Sequence, residues 1–249
     1  MHPRIWTLAT LILALVSGCR DPVRSDEVAS GGVLDLRHSD LPQETISLSG
    51  QWAFYPGILK IQELESVSPV LVSVPASWNE YPGFGGAEKS GIFRLRLLLP
   101  KDTGPLALRV EGIYSAWTLY ADGKKIWKSG APAPTVSEVE AGPRSALVFL
   151  PEHSSVVDLQ IVVSNFHYRE GGIRKPIRLG NARTLLDRER SAQAWDLFLA
   201  GAISIIGLYH IFLFAVRRQT HAPAFLVSLK SINIPNSISK NPLINTHAL

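Results

Sequence analysis

The chain has 249 residues, with 25 Lys and Arg against 21 Asp and Glu, a formal net charge of +4. At 46% hydrophobic and 18% charged residues it is too apolar for a disordered chain. Its scattered cations lack the clustered basic stretch that a nucleic-acid binder presents. The single cysteine excludes a disulfide framework and any multi-cysteine zinc site.

The first element in chain order reads as an export signal over residues 1–19. Arg4 precedes an apolar run at residues 5–16, too short to cross roughly 30 Å of hydrocarbon as a helix. Val16-Ser17-Gly18-Cys19 closes it and resembles a bacterial lipobox. That reading makes Cys19 the lipidated first residue of the mature chain, held by membrane lipid. The other reading is an uncleaved signal anchor with an incidental cysteine. Residues 20–32 are polar and rich in chain breakers, a tether.

Residues 33–181 carry the signature of strands. Residues 51–55 (Gln51, Trp52, Ala53, Phe54, Tyr55) alternate, and residues 70–74 form a short apolar run ended by Pro75. In residues 92–99, Phe93, Leu95 and Leu97 fall on one face and Arg94 and Arg96 on the other. Residues 106–110 and 113–120 continue the pattern. Asp122-Gly123 then predicts a two-residue hairpin turn into a return strand at 125–127. Residues 146–150, 156–163 and 176–179 complete the set; Leu159, Ile161 and Val163 face opposite to Asp158 and Gln160. About eight or nine strands between Gly- and Pro-rich turns, with no amphipathic helix among them, predict a mainly β fold, a sandwich or jelly roll.

A helix is predicted over 182–194, running straight into an apolar segment at 195–216. Leu197 to Val216, at 1.5 Å per residue, covers about 30 Å, the thickness of the bilayer core. Trp195 sits at one rim and Arg217-Arg218 at the other. The alternative is a core helix of a soluble protein. His210 is an ionisable group at membrane depth, either functional or hydrogen-bonded to a neighbouring helix. Gly201, Ala202 and Gly207 give small-residue surface for a homodimer or for other membrane helices. With the export signal, this orientation leaves the strands outside the bacterial inner membrane, in the periplasm, and residues 217–249 in the cytoplasm. Residues 223–229 look like the opening of a second span, which the polar, Pro-containing tail does not continue.

No catalytic constellation stands out, so the chain reads as a non-enzyme without cofactors or a metal site. There is no Gly-x-Ser-x-Gly elbow, no phosphate loop and no His-Glu-x-x-His; Gly83-Phe84-Gly85-Gly86 precedes no helix pattern. Two stretches suit a sugar or other small extracytoplasmic molecule. Residues 74–82 carry Trp78 and Asn79; residues 164–174 carry Asn165, His167, Arg169 and Arg174. Aromatic faces stack on sugar CH groups, and planar amides and guanidinium groups bond hydroxyls. The structural alternative places Trp78 in core or turn packing and uses Asn165 to satisfy loop backbone.

An ordered set of strings then carries a resemblance. Leu48-Ser-Gly-Gln-Trp-Ala-Phe-Tyr55, Val74-Pro-Ala-Ser-Trp-Asn79, Gly83-Phe-Gly85, Phe93-Arg-Leu95, Leu119-Tyr-Ala-Asp-Gly-Lys124, Ser164-Asn-Phe-His-Tyr-Arg-Glu-Gly-Gly172 and Leu179-Gly180 follow one another. Together they resemble the periplasmic galactose-binding-like jelly roll of bacterial seven-transmembrane receptors with diverse intracellular signalling modules. Tyr209-His210 and the closing Arg217-Arg218 are similar to the first span of that receptor. The likeness covers residues 33–229, and the jelly roll is also similar to the sugar-binding domain of family 2 glycoside hydrolases. Asp122 stands where such domains commonly carry Asn; either makes the turn. The resemblance implies the ligand-sensing portion of a receptor, here without the further spans and output module, as a truncated receptor would be. Two other classes compete: a membrane-tethered carbohydrate-binding lipoprotein without signalling, and an enzyme fragment related to glycoside hydrolases.

Overall fold

The computed structural model describes residues 27–81, 83–84, 89–101, 103–152 and 154–219. The export signal, Cys19, most of the tether and the tail beyond 219 lie outside the described residues. The chain divides into two units, residues 1–190 and 191–249.

The first unit is a β-sandwich of eleven strands among the described residues: β1 (Val33–Asp35), β2 (Ile46–Ser47), β3 (Gly50–Pro56), β4 (Val70–Val74), β5 (Lys89–Leu98), β6 (Leu106–Val110), β7 (Ala116–Ala121), β8 (Lys124–Ser129), β9 (Ala146–Phe149), β10 (Val156–Asn165) and β11 (Arg178–Asn181). The larger sheet runs β4-β3-β5-β10-β7-β8, and the smaller runs β2-β11-β6-β9. β1 lies parallel to the far end of β5, with Leu34 opposite Leu97, while β3 pairs antiparallel with the beginning, Phe54 opposite Phe93. Two short strands therefore share one edge of the long β5.

Alternation decides the layers. Phe93, Leu95 and Leu97 of β5 and Leu159, Ile161 and Val163 of β10 are fully buried in the main core. They meet Leu106, Leu108, Val110, Val148 and Leu179 of the smaller sheet. Trp52 and Trp117 fill this core and keep their indole N–H groups satisfied: Trp52 Nε1 donates to Leu48 O at 3.2 Å, and Trp117 Nε1 to Pro143 O at 3.2 Å. The β7–β8 hairpin turns at Asp122 (φ 49°) and Gly123 (φ 75°), both left-handed as a two-residue turn requires.

The opposite face of the larger sheet is not bare. A 3-10 turn, Ile61–Ser66, lays Leu64 against Ala53, Tyr55, Ile92 and Val162 in a second apolar cluster. Beside it, Arg94 Nε lies 3.0 Å from each carboxylate oxygen of Asp158, and Arg94 Nη1 lies 3.3 Å from Glu65 Oε1. The hydrogen bond to Asp158 raises the guanidinium pKa above its usual value, outweighing burial. The pairing ties the 3-10 turn to the sheet.

After β11 comes α1 (Ala182–Gln219), one uninterrupted helix over the two stretches expected from sequence. Asn181 caps it, accepting at Oδ1 from Arg183 N (3.0 Å) and Thr184 N (3.4 Å). Within the first unit, Ala182 and Leu185 pack on Ala107 and Leu147. Arg109 pairs with Glu189, and Arg188 Nη1 donates to Thr45 Oγ1 at 3.0 Å.

The second unit contains the remainder of α1. Leu197, Phe198, Leu199, Ile203, Ile205, Ile206 and Leu208 are all exposed, on every side rather than on one stripe. A helix apolar all round is suited to a large protein core or to lipid. α1 is long and apolar enough to cross a membrane, and none of its apolar stretch is buried. Ser204 Oγ donates to Ala200 O at 2.8 Å, so this hydroxyl is satisfied within the helix.

Candidate functional site

The site residues expected from sequence meet around one loop. β10 ends at Asn165, and the chain then runs through 166–174. Asn165 is fully buried and holds the loop from inside: its Nδ2 donates to Tyr168 O at 2.7 Å, and its Oδ1 accepts from Tyr168 N at 3.0 Å. An amide side chain imitating a backbone partner is how Asn stabilises a turn. The loop is stitched to two neighbours. Ala76 N donates to Ile173 O at 2.9 Å and Trp78 N to Gly171 O at 3.1 Å; Arg174 N donates to Gly112 O at 3.3 Å. Asn79 Nδ2 reaches across to Arg169 O at 3.0 Å.

The structure thus gathers the six residues but divides their roles. Asn79, His167, Arg169 and Arg174 are exposed. Trp78 and Asn165 are not available to a ligand, which corrects the expectation that they line the site: both are 0% exposed. Trp78 stacks on Phe93 (centroids 6.4 Å, planes 8° apart) and meets Phe84 edge-on at 5.5 Å. Gly171 covers the indole so closely that a Cβ there would overlap it. Three aromatic rings, Phe54, Phe84 and Phe93, surround Trp78 in place of solvent.

Three residues escaped the sequence reading. Tyr114 and Tyr168 lie with ring centroids 5.6 Å apart. The Arg144 guanidinium sits 4.8 Å from the first ring and 4.9 Å from the second. Arg174 lies 5.7 Å from the Tyr114 ring and pairs with Glu170. This is a cation–π array. Tyr114 precedes Ser115, which holds φ at 73°, a left-handed conformation uncommon for serine. Ser115 O accepts from Gly142 N at 2.9 Å, bringing the strand-connecting segment of Arg144 alongside. Such strain concentrates at sites that a structure must hold in place. The surface offers aromatic faces, guanidinium groups, an imidazole and an amide. No group of three or more His, Cys, Asp or Glu among the described residues is placed to hold a metal ion.

Tyr81 closes the same aromatic cluster from the side, 5.7 Å from Phe54, with its hydroxyl donating to Ser73 O at 3.0 Å. Burial pushes its phenol above the usual value of 10.0, and the charge of Glu80 adds to the shift. The folded state prefers the neutral phenol, so this contribution to stability is complete below pH 10.0 and is lost as pH rises beyond it. Thermal melts from neutral to strongly alkaline pH should show a steeper loss for the wild type than for Tyr81→Phe.

No family model and no curated protein matches the sequence. Among solved structures, the β-glucuronidase of Ruminococcus gnavus aligns at TM-score 0.43 and 15% identity, over 55% of this chain and 28% of that one. A β-glucuronidase of an uncultured Clostridium sp. aligns at TM-score 0.44 and 16% identity, again over 55% and 28%. The chain covers little more than a quarter of either enzyme's length, and at this level of similarity their activity does not transfer.

Proposed function

We propose that the chain is the ligand-sensing portion of a bacterial membrane receptor of the seven-transmembrane type with diverse intracellular signalling modules. Its sandwich sits in the periplasm, and its binding face is the 165–174 loop with Asn79, Tyr114 and Arg144. The observation that carries this reading is the helix itself. α1 begins as a capped, ion-paired part of the sandwich and goes on as the apolar candidate span. A ligand that favours one arrangement of the loops can bias the packing of such a helix, because the base of the helix belongs to the folded domain. A carbohydrate is the ligand class whose chemistry matches these side chains: rings for CH faces, guanidinium and amide groups for hydroxyls.

The test is a glycan array probed with the full chain in lipid nanodiscs. Binding to a defined set of sugars is expected, weakened about tenfold by Arg169→Ala or Asn79→Ala, the value of about one hydrogen bond, with the melting curve unchanged. Sugar binding indifferent to both substitutions contradicts the loop as binding face. A passive tether separates from a receptor by crosslinking at Gly201 and Gly207. Ligand-dependent crosslinks to a partner helix support signalling, and ligand-independent monomers support the tether.

A further inference from the structure

We propose that the outer edge of β4 is an interface that pairs, antiparallel and about a two-fold axis, with the same edge of a second copy of this chain. β4 ends the larger sheet, and no strand among the described residues lies beyond it. Which of its backbone groups face outward follows from β3. Gln51, opposite Ser73, donates its N–H to Ala29 O at 2.8 Å and accepts at its carbonyl from Gly32 N at 3.1 Å. The β3–β4 hydrogen bonds therefore run through the intervening pairs, Gly50–Val74, Trp52–Val72 and Phe54–Val70. Leu71 and Ser73 turn their N–H and C=O groups away from the sheet, and Pro69, just before the strand, continues the alternation.

That row of groups is complementary to itself. The Tyr81 hydroxyl donates to Ser73 O at 3.0 Å, so this acceptor is already used. Leu71 N–H, Leu71 O, Ser73 N–H and Pro69 O are left for a partner strand, and Pro69 has no N–H to place. A two-fold axis at Leu71 matches all of them. Leu71 N–H of each copy donates to Leu71 O of the other, and Ser73 N–H of each donates to Pro69 O of the other. The proline, lacking a donor, falls opposite the carbonyl that Tyr81 has satisfied. The side chains agree with this register, which sets Leu71 against Leu71 and Val70 against Val72. Leu71 is 50% exposed and Val70 45%, and apolar cross-strand pairs of this kind stabilise a sheet. No charged residue occurs from Ser66 to Asn79, so no like charges on β4 meet across the axis. The opposite edge of the sheet, β8, carries exposed Lys124, Lys125 and Lys128, a common defence of an edge strand against pairing. β4 has no such guard.

The test uses the full chain purified in detergent, with Cys19→Ser removing its single native thiol. Leu71→Cys under mild oxidation should give a disulfide-linked dimer, because the Cα atoms of a hydrogen-bonded antiparallel pair lie about 5.5 Å apart, within reach of a disulfide. Ser73→Cys sits on the same exposed edge but about 13 Å from its counterpart in this register, and should not cross-link. Lys128→Cys on β8 should not cross-link either. Adding Val70→Lys to Leu71→Cys supplies the missing guard and should lower the cross-linked fraction about tenfold. The melting curve should stay unchanged, since Val70 is exposed. Ser68→Lys, an exposed position opposite Val74 in the same register, serves if Val70→Lys melts early. The proposal is overturned by no dimer from Leu71→Cys, by equal yields from Ser73→Cys or Lys128→Cys, or by a yield that the added lysine leaves untouched.

Discussion

Replacing Trp78 by alanine is expected to lower the stability of the sandwich by about 3–5 kcal/mol, the range for deleting a large buried aromatic. The indole is wholly inside the core and touches Phe54, Phe84 and Phe93. Its removal leaves a cavity that the backbone of Gly171 and the neighbouring strands cannot close without moving. Since a domain holds only about 5–15 kcal/mol in total, the variant should melt far below the wild type or fail to accumulate. Gly171→Ala should act on the same contact from the other side, because the added methyl has no space beside the indole. Arg169→Ala, by contrast, should melt with the wild type, since its side chain is exposed. Equal melting of Trp78→Ala and wild type in circular dichroism would return Trp78 to the surface, where a stacking platform would sit.

The second large effect concerns α1. Lysines at both 205 and 208 (Ile205→Lys with Leu208→Lys) place two charges near the middle of the apolar stretch, each costing about 2.5–3.5 kcal/mol for insertion at a helix centre. Together they should abolish integration of the segment in a microsomal assay with glycosylation tags on either side. The single substitution should integrate partly. Undiminished integration of the double variant would mean that the segment rests on protein or at the membrane surface rather than in hydrocarbon.

Much of the sandwich was legible because strand alternation is a local property. The opposing faces of Phe93-Arg94-Leu95-Arg96-Leu97 and of Asp158-Leu159-Gln160-Ile161 appear in the structure as read, and the Asp122-Gly123 turn has the expected left-handed angles. β1 and β2 were not legible. At three and two residues they are too short to show a period, and β1 exists only because β5 is long enough to accept a second partner. Gln160 reads from its alternation as facing away from the main core, yet it is only 6% exposed, and its own stretch of sequence does not show that burial. The candidate surface was half legible in the same way. The 165–174 loop declares itself by composition, whereas the contact of Tyr114 and Arg144 with Tyr168 depends on how distant loops pack. The burial of Trp78 depends on Phe54, Phe84 and Phe93, none of them adjacent in the chain. The helix was the easiest element, since its apolar length alone matches the bilayer.

The most direct test of a sandwich carried on a membrane-crossing helix is extraction of bacterial membranes containing the full chain with alkaline carbonate, followed by protease added to spheroplasts. The chain should stay with the membrane pellet, and protease acting from the periplasmic side should digest or release the sandwich. Recovery of the chain in the carbonate supernatant, or digestion of the sandwich only after the spheroplasts are lysed, would contradict the account.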